Sequence, residues 1–165
     1  MKKLSFLTII LLATCTVAMA QPRAIGGRLG WGAGVSYQHG FSEKSMLQVD
    51  LDSYCFYYGL QATVTFNGIH SFSSWNGPGS WNWYSGVGGG LGLFWGNIID
   101  PKRDYWTGGG IGGVAFMMGV EYNFKFPLQI SLDYRPLIGA YFGVGAPEFH
   151  ILGLFGGGLG IRYKF

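Results

Sequence analysis

Three histidines, His39, His70 and His150, are the chain's candidate bases, and the serines around His70 are its candidate nucleophiles. His70 precedes Ser71, with Ser73 and Ser74 close behind. A serine within hydrogen-bond reach of an imidazole is the minimum for nucleophilic catalysis. The spacing argues against it, because adjacent residues of an extended segment point to opposite faces. No group of His, Cys and carboxylate residues has the spacing of a metal site. GVGGGLG and GGGIGG are glycine-rich, as phosphate-binding loops are, but no Lys-Ser/Thr follows them and no helical pattern opens after them. No catalytic residue, cofactor or metal is expected.

A second set of residues is better ordered. Arg28, Asp50, Asp52, Glu121, Asp133, Arg135, Arg162 and Lys164, four of each sign, each alternate with apolar neighbours. Leu47, Val49 and Leu51 oppose Gln48, Asp50 and Asp52; Leu60, Ala62, Val64 and Phe66 oppose Gln61, Thr63, Thr65 and Asn67. Val114, Phe116, Met118 and Val120 oppose Ala115, Met117, Gly119 and Glu121, and Leu128, Ile130, Leu132 and Tyr134 oppose Gln129, Ser131, Asp133 and Arg135. The terminal ILGLFGGGLGIRYKF ends the same way, with Leu159, Ile161, Tyr163 and Phe165 against Gly158, Gly160, Arg162 and Lys164. A period of two with one apolar side is a strand signal.

The elements carrying these residues are Ile25 to Gln38, Met46 to Asp52, Leu60 to Phe72, Trp81 to Trp95, Gly109 to Tyr122, Leu128 to Pro136 and Gly153 to Phe165. The first has Gly32, Ala33 and Gly34 in its middle, where a tight hairpin would divide it. Undivided it gives seven strands and divided eight, and even numbers are the rule for single-chain bacterial barrels. The expected fold is therefore all-β, a single antiparallel transmembrane barrel of eight strands. Both termini and the turns Ser42–Ser45, Ser73–Ser80 and Phe124–Pro127 fall on one side, the periplasmic one. The turn near Ala33 and the loops Ser53–Gly59, Gly96–Gly108 and Leu137–Leu152 fall on the other. Aromatics gather at both predicted ends, Tyr122, Phe124, Phe126, Tyr163 and Phe165 among those at the first, and Trp31, Trp95, Tyr105, Trp106, Tyr134 and Phe155 at the second. Two such rings suit membrane interfaces. An aromatic core in a soluble barrel is the alternative, and it would come with polar outer faces.

Composition supports the membrane reading. Only 12% of residues are charged, 18% are aromatic and 30 are glycine, against about a quarter charged in soluble domains. Residues 1–20 have two lysines, an apolar run and the small residues Ala18 and Ala20 at the end, the pattern of a cleaved secretory signal. The domains expected are thus the signal, 1–20, and the barrel, 21–165. Cys15 follows Leu12, Ala13 and Thr14, but threonine is a poor residue before a lipidated cysteine. Removing Lys2 and Lys3 lowers the formal charge from +3 to +1, which offers no basic surface for nucleic acid. Cys55 is then alone and forms no internal disulfide.

On AIGGRLGWGAGVSYQHGFSEKSMLQVDL, WNWYSGVGGGLGLFWG, GGVAFMMGVEYNFKFPLQISLDYRP and GLGIRYKF, the chain resembles the small outer-membrane β-barrel proteins of Bacteroidetes-type bacteria, with the architecture of OmpA and OmpX transmembrane domains. The chain departs from that likeness at DSYCFYYG, in the second outer loop and its flanks. The resemblance implies integral outer-membrane localisation, no catalytic residue, and a C-terminal signal of Ile161, Tyr163 and Phe165 read by the barrel-assembly machinery.

The function expected is non-enzymatic, an envelope structural or surface-interaction role with a lumen closed by the eight charges, which should pair because an eight-stranded interior holds little more than its side chains. A narrow channel for ions or small solutes is one alternative and a lipid-modifying outer-membrane enzyme another. The His-x-Ser order of lipid A deacylases is missing, since Phe72 stands two residues after His70. Lumen glycines such as Gly86, Gly88, Gly90 and Gly92 would make room for arginines opposite them. Outer-membrane lipid and lipopolysaccharide are the expected partners, with Lys102, Arg103, Asp104, Tyr105 and Trp106 as a candidate recognition surface. A monomer is expected.

Overall fold

The computed structural model describes residues 23–30, 32–54, 57–72, 78–97, 108–143, 147–152 and 157–165. The signal residues Ala18 and Ala20, Cys15, Cys55 and the candidate surface Lys102, Arg103, Asp104, Tyr105 and Trp106 lie outside them. Among the described residues the regular elements are all strands: β1 Arg23–Gly30, β2 Gly32–Ser42, β3 Ser45–Tyr54, β4 Tyr57–Ser71, β5 Gly79–Asn97, β6 Gly109–Phe124, β7 Leu128–Tyr134, β8 Leu137–Phe142, β9 Glu148–Leu152 and β10 Gly157–Lys164.

Each strand pairs antiparallel with its sequence neighbour from β1 to β7, and β1 pairs with β10, so the sheet closes on itself. β7 and β8 lie end to end along β6, while β9 and β10 lie end to end along them. Counted around the wall, the ten segments make a closed eight-stranded antiparallel barrel. Closure removes the unpaired edges of an open sheet.

Two loop expectations are corrected. The first segment does divide into a hairpin, but Leu29 pairs with Ala33, which puts Gly32, Ala33 and Gly34 in the second strand rather than in the turn. Leu137 to Leu152 is not a loop, since its two ends are β8 and β9, paired through Ile138↔Ile151 and Gly139↔His150. Pro136 had punctuated the sequence there. A proline removes a single donor, and its carbonyl still accepts from Phe116 N at 3.0 Å. Tyr134↔Met118 and Leu137↔Ala115 keep one register, so the strand passes straight through. On the other edge Tyr134 pairs with Gly157 and Leu137 with Leu152, leaving two more residues on the β9–β10 side than on the β7–β8 side. An even excess preserves which side chains point inward.

Because the wall extends to Phe142, Tyr134 sits at mid-height and not in an aromatic ring at the end. Trp95, Phe142 and Phe149 project outward there; Trp31, Tyr105, Trp106 and Phe155 lie outside the described residues. At the terminus end Trp81, Tyr122, Phe124 and Phe126 form a continuous run of ring contacts with centroids 4.6–4.9 Å apart.

The sidedness of the wall is inverted relative to a water-soluble barrel. Leu29, Leu91, Met118 and Leu132 face outward and are 61–70% exposed, while Arg28, Asp50, Asp133 and Arg162 face inward and are at most 3% exposed.

Candidate functional site

The inward face is layered. Toward the end away from the termini, Phe94, Ile111, Ala115 and Leu137 form an apolar cluster that Tyr54 and Tyr141 extend. Glycines make this layer possible: a Cβ on Gly90 would press on Leu137, and one on Gly92 would press on Ile111. The glycines of β5 thus accommodate aliphatic side chains and the backbone of β4, rather than the arginines expected there. Arg28 lies instead over Gly158, and Arg162 over Gly160, where any Cβ would collide with the guanidinium.

The middle layer gathers six of the eight charges identified from the sequence. Arg28 Nε donates to Asp133 Oδ1 at 2.8 Å, and its Nη2 lies 2.6 Å from the same oxygen. Its Nη1 stands 4.0 Å from Asp52 Oδ1. Arg135 joins Asp50 at 2.6 Å, bonds to Asp52, and donates to Thr63 Oγ1 at 2.7 Å. Arg162 faces Asp133 at 3.9 Å and donates to Ser36 Oγ at 2.9 Å and Ser131 Oγ at 2.7 Å. Three arginines from β1, β10 and the β7–β8 junction therefore neutralise three aspartates from β3 and β7. Buried charges demand such pairing, and it is made here although Arg135 Nε, Arg162 Nη2 and Asp52 Oδ1 are left without a hydrogen bond. Gln48 donates to both oxygens of Asp50 at 3.0–3.1 Å and accepts from Gln38 at 2.8 Å, and Tyr84 donates to Asp133 at 3.4 Å.

The other two charges stand apart from this layer. Glu121 is 4% exposed and is held by three amides: Asn82 and Asn123 donate to Oε1 at 3.0 and 2.9 Å, and Gln129 to Oε2 at 2.8 Å. Among the described residues no basic nitrogen forms an ion pair with it. Lys164 Nζ donates to the Phe124 carbonyl at 3.4 Å. Both line a cavity of about 280 Å³ that opens at the terminus end, with Met46 and Ile69 also in its lining. Sequence reasoning placed Glu121, Lys164 and Gln129 on the inward face but did not single out Asn82 and Asn123. Asn82, Asn123 and Gln129 occupy inward positions of β5, β6 and β7, so parity was their available signal.

Each histidine lies against an aromatic ring. His70 points outward and stacks on Trp83 at 4.2 Å, and His39 meets Phe41 edge-on at 5.1 Å. His150 lies against the Tyr141 ring at 5.5 Å and 3.5 Å from Glu148. Among the described residues no group of His, Cys, Asp and Glu is placed to hold a metal ion. Ile161, Tyr163 and Phe165 point outward, with Tyr163 and Phe165 stacked at 6.4 Å.

No protein-family model and no curated protein matches the chain. Among solved structures, the N-terminal β-barrel domain of Pseudomonas aeruginosa OprF is similar, with 18% identity over 88% of this chain and 96% of that one and a TM-score of 0.49. A likeness that distant says nothing of activity, and the barrel rests on this chain's own strand ladder.

Proposed function

We propose that this chain is a non-enzymatic integral protein of a bacterial outer membrane whose lumen is a fixed internal core, with a structural or surface-interaction role in the envelope. The single observation that carries this reading is the neutral layer of three arginines and three aspartates across the middle of the lumen, each residue at most 6% exposed. An eight-stranded barrel leaves room for little more than its inward side chains, and here those side chains hold one another. The closed ladder and the apolar outer face support membrane insertion, since hydrocarbon requires every backbone polar group to be paired internally. Lipid and lipopolysaccharide are then the surroundings of the wall. The outward row Ile161, Tyr163 and Phe165 suits an element read during assembly. Phe165→Ser should lower the outer-membrane level more than Phe142→Ser, and equal levels would remove that role.

Single-channel recording in planar bilayers tests the main reading. Refolded barrels, verified by the different mobility of unheated and boiled gel samples, should give no steady conductance. Ion-sized steps that change in Asp133→Asn would establish a channel instead, and an altered lipid A mass in a deletion strain would establish an enzyme.

A further inference from the structure

The two charges left over from the central layer, one of each sign, face a single cavity, which is also lined by Glu43, an exposed residue of the β2–β3 turn. Every lumen aspartate has an arginine partner, whereas Glu121 has three neutral amides and Lys164 one backbone carbonyl. The amide donors hold both carboxylate oxygens of Glu121. They supply no counter-charge. Glu121 and Lys164 line the cavity together with Met46 and Ile69, which belong to or pack on the apolar cluster of Met46, Tyr84 and Met117. At about 280 Å³ the cavity is just below the roughly 300–1,000 Å³ range of drug-sized ligand pockets. Its occupant is therefore small.

We propose that this cavity is a binding site for a small zwitterion, an α-amino acid with an apolar side chain. Its ammonium pairs with Glu121, its carboxylate with Lys164, and its side chain rests on Met46 and Ile69. A ligand carrying both charges completes two partners at once. A simple amine or acid completes only one and leaves its opposite uncompensated. The cavity opens along the lumen and not through the apolar wall, so the ligand arrives from water rather than from a lipid headgroup. This reading rests on the cavity and its charges, and stands whether or not the barrel conducts.

The test uses the refolded barrel in detergent micelles and follows the side-chain amide NMR signals of Asn82, Asn123 and Gln129. The probes are L-leucine, 3-methylbutylamine, which lacks the carboxylate, 4-methylpentanoate, which lacks the amine, and glycine, which lacks the side chain. Leucine should shift these signals saturably, with a Kd on the order of 1 mM. Each of the other probes should bind about tenfold more weakly or worse. Glu121→Gln and Lys164→Met should each weaken leucine to the same degree while the barrel keeps its compact gel mobility. Lys164→Met also serves as the independent variant if Glu121→Gln fails to fold. Absence of saturable shifts overturns the proposal, as does equal binding of leucine and 3-methylbutylamine. Tighter leucine binding by Lys164→Met overturns it too, because Lys164 would then be Glu121's own partner in solution.

Discussion

The middle of the lumen and its terminus end use the same residue types and reach different electrostatic arrangements. In the middle, Arg28, Arg135 and Arg162 are paired with Asp50, Asp52 and Asp133, away from water. At the end, Glu121 and Lys164 line one cavity and do not pair with each other. The difference lies in the partners, since Glu121 is as buried as the central charges. A charge in the central layer is met by an opposite charge, whereas three neutral amides satisfy the oxygens of Glu121 beside an open cavity. The central layer is thus bound to be self-complementary, and the end is free to be complementary to something else.

The most direct way to break this comparison is to remove one arginine from the middle. Arg135→Leu leaves Asp50 without its cation and Asp52 with only Arg28 at 4.0 Å, and should destabilise the barrel by about 3–5 kcal/mol, read as a lowered urea midpoint in the gel-mobility assay. An unchanged midpoint would mean that the layer contributes no net pairing. Gly158→Val forces a side chain into the space of the Arg28 guanidinium and should destabilise by about 1–3 kcal/mol. A crystal structure of the variant should show Arg28 displaced from Asp133. Glu121→Gln keeps an acceptor for Asn82 and Asn123 and should change stability by about 1 kcal/mol or less. A midpoint shift as large as that of Arg135→Leu would place Glu121 in the same class as the central acids and erase the contrast. Lys164→Met should stay within about 0.5 kcal/mol in the same assay.

Much of the wall was legible because alternation is local. The inward and outward sets of β3, β4, β6, β7 and β10 follow directly from parity, and so does the burial of the charged residues. The divided first segment was readable from its central glycines, though those glycines belong to β2 and not to the turn. β8 and β9 were missed because Pro136 resembles a strand end, and because Gly139 and Ala140 carry no alternation to set against it. The proline's effect is only one absent donor in a ladder that β6 holds in register, which depends on the neighbouring strand and not on the segment itself. Which arginine meets which aspartate was also out of reach. Arg28 and Asp133 come together only when β1 closes on β10 and β10 on β7, and that geometry is a property of the complete circuit. Parity likewise gave the inward glycines but not their neighbours, so space assigned to arginines along β5 is taken by Leu137 and Ile111.

The β1–β10 seam bears on how the chain can be rearranged. Ala24 pairs with Lys164 and Ile25 with Tyr163, so the first and last strands are side by side and run antiparallel. A short linker across that seam, with new termini opened in the Phe124–Leu128 turn, would keep every ladder of the wall and alter only the order in which its strands are synthesised. Such a circular permutant should reach the same barrel. It would move β10 from the end of the chain to its interior, and so separate what the finished wall needs from what the assembly route needs.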